Sequence, residues 1–144
     1  MRAVALKGKR EFEIKEIKEP EIDNKNIIIK VLKAGICGSD LHYFQTGEPK
    51  GLILGHEFCG SVINPGDRED LKVGDRVTAL PISPCGNCKA CLSGNPQYCK
   101  ETWSKAVGLS LDTNGALTEI IKVRSDMVLK VPDNVTDLEA AMVE

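Results

Sequence analysis

Apolar and polar positions alternate along several short stretches of the chain. "AVALK" (residues 3–7) and "EFEIKEI" (11–17) show the two-residue period of half-buried strands. "NIIIKVLKAGIC", from Asn26 to Cys37, is a longer β-branched run with strong strand propensity. "CGSVIN", "DRVTAL", "LTEIIKV" and "MVLKVP" continue the pattern, broken each time by Pro, Gly, Asn or Asp. Short strands at this spacing predict a mainly β fold, an antiparallel barrel or sandwich. Two segments read as helices. "SDLHYFQT" begins at Ser39, a good N-cap residue. "TDLEAAMVE" opens on Thr136 with Glu139 three residues later, the signature of a capping box. No G-x-G-x-x-G follows any strand, so no dinucleotide-binding motif is present.

A chain of 144 residues reads as one domain, large enough to bury roughly 70% of its unfolded surface. The net charge of -2 offers no basic stripe, which argues against a nucleic-acid partner. No apolar run approaches the roughly 18 residues that would cross a membrane. The N-terminal stretch "MRAVALKGKREFEIKE" turns charged too early for a signal peptide, so a cytoplasmic setting is expected. That setting bears on the six cysteines, because thiols there are kept reduced.

Four of the six lie in one turn-rich stretch, Cys85-x2-Cys88-x2-Cys91-x7-Cys99. Two-residue gaps let a tight knuckle aim successive thiolates at one ion, and four thiolates suit tetrahedral zinc. Gly86 can take the positive φ such a knuckle needs, and Gly94-Asn95-Pro96 can return the chain toward Cys99. Two other readings weigh less. Redox Cys-x2-Cys pairs sit beside a βαβ pattern, which is missing here. Ferredoxin-type runs place their fourth cysteine sooner and follow it with proline, whereas Lys100 follows Cys99. The spacing therefore predicts a closed, structural zinc lobe.

A second group is less obvious. Cys37 ends a predicted strand in "GICGSDLH", and "GHEFCG" brings His56 and Glu57 nineteen and twenty residues later. A thiol, an imidazole and carboxylates in separate turns are what an open, catalytic zinc site uses. Taken singly, Cys37 reads as a small buried hydrophobe and His56 as a turn residue. Cys59 reads as core. Tyr43, Phe44 and Trp103 read as core or pocket-lining aromatics.

Taken together, "GICGSDLH", "LGHEFCG", "VGDRV", the four-cysteine lobe, "NGALTEI" and "KVPDNVTDLEAAMVE" occur in one order. In that order they resemble the N-terminal catalytic domain of zinc-dependent medium-chain alcohol dehydrogenases, nearest to the polyol (sorbitol, xylitol), butanediol and threonine dehydrogenase branch. The resemblance covers essentially the whole chain. It implies a GroES-like, partly open β-barrel with short helices over residues 1–144, and a zinc lobe at about 84–100. The coenzyme-binding Rossmann half would lie outside these residues, so this domain alone is expected to be inactive.

Residue by residue, the resemblance implies that Cys37 and His56 hold a catalytic zinc and that Asp40 hydrogen-bonds the ring of His56. Ser39 would take the proton of the alcohol and His42 would relay it to solvent. Glu57 would approach the metal directly or through water. In the polyol branch the third protein ligand is a Glu in the "AAMVE" stretch, here Glu144, and the choice between Glu57 and Glu144 stays open. Cys85, Cys88, Cys91 and Cys99 would hold the structural zinc. The implied reaction is NAD- or NADP-linked oxidation of a secondary alcohol or polyol to a ketone. The implied assembly is a homo-oligomer, dimer or tetramer, in the full-length enzyme. Two alternatives remain at this level: a stand-alone zinc module that binds another protein, and a zinc-free quinone reductase, which the lobe disfavours.

Overall fold

The computed structural model describes residues 1–144. Its strands are β1 (Arg2–Gly8), β2 (Glu11–Glu16), β3 (Asn26–Ala34), β4 (Phe58–Asn64), β5 (Arg76–Ala79), β6 (Ile120–Arg124) and β7 (Val128–Lys130). Three short helices complete the fold: α1 (Gly38–Thr46), α2 (Lys89–Leu92) and α3 (Asp137–Ala141). All seven predicted strands form. None of the helices is long and apolar enough to cross a membrane.

β1 and β2 make an antiparallel hairpin, and the other five strands form a sheet in the order β6-β3-β4-β5-β7. The two are stitched together by an isolated Ala3–Thr118 bridge, with Val4 N–H donating to Leu117 O and Glu119 N–H to Arg2 O. β6 therefore starts at Ile120, later than the alternation in "LTEIIKV" predicts. Leu117 O and Glu119 N–H bond β1 instead, while Glu119 O still accepts from Val31 N–H of β3. The result is an open, coiled sheet that never closes, the partly open barrel expected from the sequence.

β4 runs between two apolar clusters. Phe58 and Val62 join Ile27, Ile29, Val77, Ile121, Val123 and Val128 in the main core. Cys59 faces a smaller cluster with Val131, Ala140 and Ala141 beneath α3. Cys59 is thus the buried core residue its position suggests. Burial of side chains this size contributes about 1.5–3 kcal/mol each, so the Phe58 side firmly anchors the strand that follows His56 and Glu57.

Helix starts depart from the reading in one place. The N-cap of α1 is Cys37, two residues before Ser39. β3 stops at Ala34, and the carboxylate of Asp40, in the first turn, accepts the Cys37 N–H at 2.9 Å. An acceptor reaching back from the N3 position satisfies a free amide as a cap would, so a serine hydroxyl at position 39 is not needed for capping. α3 begins as predicted: Glu139 accepts from Thr136 N–H and Oγ at 2.9 and 2.7 Å, and Thr136 Oγ accepts from Glu139 N–H at 3.2 Å. The aromatics divide. Tyr43 packs on Leu6, Leu52 and Leu54, and Phe44 stacks on Phe12 with centroids 5.0 Å apart. Trp103 is exposed and fills no core.

Candidate metal centres

The lobe follows directly from its glycines and its short helix. Gly86 and Gly94 both adopt φ near +77°, a conformation that costs glycine nothing, and they reverse the chain on either side of α2. This folding brings the Sγ atoms of Cys85, Cys88, Cys91 and Cys99 within 4.8 Å of one another. Cys88 and Cys91 are 3.5 Å apart, Cys85 and Cys91 4.0 Å. A tetrahedron with metal–sulfur bonds near 2.3 Å has edges of about 3.8 Å, so these spacings suit one ion held by four thiols. All six cysteines are free thiols, which removes the disulfide reading. A multi-iron cluster would hold its thiolates further apart than this.

Local polarity favours thiolates. The Cys99 thiol is pulled down to about 6 by the backbone N–H groups of Cys85 and Glu101, each 3.4 Å from its sulfur. The same environment is uneven: burial, then the neighbouring Cys88, push the Cys91 thiol upward. A bound cation removes that penalty, because a metal-bound thiol is deprotonated outright. The lobe is tied to the sheet by Arg124, whose Nη1 donates to Ser83 Oγ and Pro84 O at 3.1 and 3.0 Å. Its other nitrogens hold Asp126.

The second centre is built by the β3–β4 ladder. Ala34 pairs with Phe58, and Gly35 N–H extends the ladder by donating to Glu57 O at 2.7 Å. Cys37 leaves this end of β3 just as His56 and Glu57 enter β4. The ligand atoms of Cys37, His56 and Glu57 accordingly lie within 4.8 Å of one another. Gly35 makes room for this: a Cβ there would fall on Glu57 Oε2 and lie 3.5 Å from the Ala141 carbonyl. Glu144, the other candidate carboxylate, is exposed and stands outside the group.

Asp40 faces both Cys37 and His56. One carboxylate oxygen fixes the Cys37 amide, and the other, Oδ1, faces His56 Nδ1 at 3.8 Å. That is longer than a hydrogen bond. Asp40 Oδ1, His56 Nδ1 and Ser39 Oγ are all buried and lack hydrogen-bond partners. Asp40 Oδ1 and His56 Nδ1 face each other across that gap, and buried polar atoms are nearly always satisfied, so the unpaired Ser39 Oγ is the one of the three left for a partner from outside the fold. The donor set fits zinc, for which Cys, His and carboxylate are ordinary ligands. His42, one helical turn beyond Ser39, is exposed on α1 with its ring edge toward Tyr43. A cleft of about 430 Å³ between the N-terminal strands and the base of the lobe is lined by none of these residues.

Residues 23–133 match the alcohol dehydrogenase GroES-like domain, and the chain belongs to that family. It is 38% identical to a sorbitol dehydrogenase of Bacillus subtilis, over all of this chain and 42% of that protein. The crystal structure of 2R,3R-butanediol dehydrogenase from Bacillus subtilis superposes with a TM-score of 0.83 at 30% identity, covering 99% of this chain and 44% of that one. The crystal structure of a short chain alcohol dehydrogenase from E. coli CFT073 complexed with NADH superposes with a TM-score of 0.89 at 30% identity, covering all of this chain and 42% of that one. The chain thus spans about two fifths of the length of the relatives it matches.

One contributor to the site was not visible in the residue pattern: Gly35 supplies space through the backbone. A glycine in a β-branched run just before a cysteine is the signal that could have pointed to it.

Proposed function

We propose that this domain is the zinc-holding catalytic part of an NAD- or NADP-linked dehydrogenase that reversibly oxidises a secondary alcohol or polyol to a ketone. The observation that carries the proposal is the convergence of Cys37, His56 and Glu57 beside the unpaired, buried Ser39 Oγ. Cys37 and His56 would hold the ion, with a carboxylate from Glu57 or Glu144 completing the protein ligands. Glu57 has the stronger support, because its carboxylate lies with the other two donors. When bound, zinc supplies Lewis-acid polarisation of the alcohol oxygen, and a nicotinamide accepts the hydride.

The remaining work falls to side chains of this domain. Ser39 Oγ, with its lone pairs free, would accept the alcohol proton through a hydrogen bond. His42 lies one helical turn on, at the surface, where an imidazole would pass the proton to water. Asp40 would hold the His56 ring through Nδ1 while capping α1 through Cys37, so one carboxylate orients both ligands. The four lobe cysteines would bind a second, structural zinc. Six free thiols suit a reducing, cytoplasmic compartment.

Metal counting tests the proposal. The zinc-loaded protein is expected to hold about two ions per chain, and a chelator should remove one well before the other. The reason is ligand number: a closed four-thiol site holds its ion more tightly than one with three protein ligands and an open position. In a protein of the relatives' length, secondary alcohols and polyols should drive reduction of NAD or NADP, read as absorbance of the reduced nicotinamide. A single tightly held ion would return Cys37 and His56 to ordinary core roles. Two ions with no alcohol-dependent reduction by any member of the screen would overturn the assigned reaction.

A further inference from the structure

Arg76 stands at the head of a four-residue strand whose other three members, Val77, Thr78 and Ala79, are buried. Its backbone is ordinary sheet: it pairs with Ser61 on β4, and its carbonyl accepts from Val131 N–H at 2.9 Å. Its side chain is not ordinary. Nη1 donates to Val135 O at 2.5 Å and to Asp137 Oδ1 at 3.2 Å; Nη2 donates to Pro132 O at 3.0 Å and Asp133 O at 3.2 Å. One guanidinium therefore gathers three carbonyls and a carboxylate from residues 132–137, the segment that leads from β7 into α3.

That segment has little else to hold it. α3 has five residues, too short to be stable by itself, and most helical stability of such pieces comes from packing. Its inner side, Ala140 and Ala141, rests with Val131 and Val135 against Cys59 of β4. Asp137, the residue Arg76 grips, also lies 3.9 Å from the Cys59 thiol. The far end of α3 is where the metal question enters. The Ala141 carbonyl borders the Cβ space left open at Gly35, and the Glu57 carboxylate fills that same space. Contacts thus run from Arg76, through residues 132–137 and α3, to the Ala141 carbonyl, which borders the same space at Gly35 as the Glu57 carboxylate.

We propose that Arg76 is a positioning residue for the Cys37–His56–Glu57 centre: it fixes the entry to α3, so that the helix end forms the wall against which the Glu57 carboxylate is set. The inference rests on reading that centre as a metal site. It requires the fork of an arginine. A lysine keeps the charge, but its single ammonium does not reproduce two nitrogens each serving two acceptors.

Cobalt titration of the whole chain, with the zinc-loaded protein as reference, tests this on Arg76→Met and Arg76→Lys. The four-thiolate lobe and the Cys/His/carboxylate centre give different visible spectra, so each is followed separately. The expected result is a fall of about 10- to 100-fold in metal affinity at the Cys37 centre, the range seen when partners behind a ligand are removed. The d–d bands of that centre should shift, while lobe affinity and spectrum stay as in the parent. Arg76→Lys should resemble Arg76→Met rather than the parent. Parent-like binding at both centres in both variants overturns the inference. So does parallel loss of both metals in Arg76→Lys, because it would show general unfolding rather than positioning. If the unsubstituted chain takes up only the lobe metal, the reading of the second centre itself fails, a result distinct from failure of the Arg76 variants.

Discussion

Cys88→Ser is expected to cost the domain far more stability than His56→Ala. Residues 85–99 contain one four-residue helix and a single 3-10 turn, with Leu92 and Tyr98 exposed. No apolar core of its own holds this lobe. Its order must come from whatever the four converging thiols bind, and at a closed site of that kind binding free energy is folding free energy, roughly 10–16 kcal/mol for structural zinc in small peptides. Losing one of four ligands should remove at least several kcal/mol of that. The damage would not stay local, because the chain leaving the lobe feeds Val107 into the main core and bonds its N–H to Pro81 O. His56→Ala removes a buried ring whose Nδ1 has no hydrogen bond to lose, so about 1–3 kcal/mol is the expected range. Thermal melts of both variants, run with zinc counts, compare the two directly. An equal loss, or a larger one for His56→Ala, would reverse the structural and catalytic assignments.

Ser39→Ala should lower turnover by about 10²- to 10⁴-fold in a protein of the relatives' length while leaving about two zinc ions in place. The hydroxyl is well suited to a clean experiment. It caps nothing, since α1 is capped through Cys37 and Asp40, and it has no partner within the fold. Its removal therefore breaks no bond of the resting protein, and the melting temperature should hardly move. A loss seen equally in kcat and kcat/KM would place the hydroxyl in the transition state rather than in ground-state binding. Near-parent turnover would assign the proton to water or to another side chain.

Much of this fold was legible because a period of two is written locally. Phe58 and Val62 on one side of β4, and Cys59 on the other, need only the strand itself to be read. Features set by distant residues were not legible. The start of β6 was misplaced because Leu117 and Glu119 bond to β1, more than a hundred residues earlier. Ser39 was misread as a cap because the helix start depends on where β3 ends and on an aspartate reaching back. The candidate ligands split in the same way. Four cysteines within fifteen residues declare a common ion through spacing alone. Glu57 and Glu144 look equally eligible as letters, and only the ladder at Gly35 and Glu57 brings the first to Cys37 and His56. Arg76 was silent because three of its four acceptors are backbone carbonyls, which carry no sequence identity.

The ladder between β3 and β4 works as a ruler. The separation of Cys37 from His56 is measured in rungs of a sheet, not in the length of the chain that joins them. The eighteen residues between them, with α1 inside, are tied down separately: Arg10 N–H donates to Phe44 O, Gly51 N–H to Leu6 O, and Gly47 sits against the backbone of Lys9. A single residue added between Ala34 and Cys37 acts on the site directly. Residues 35–37 lie past the end of β3, held to the ladder by the Gly35 N–H bond to Glu57 O, so an added residue lengthens the step from the last rung to the thiol and shifts Cys37 relative to His56 and Glu57. The end of the ladder is thus the common origin from which the thiol, the imidazole and the carboxylate are all placed.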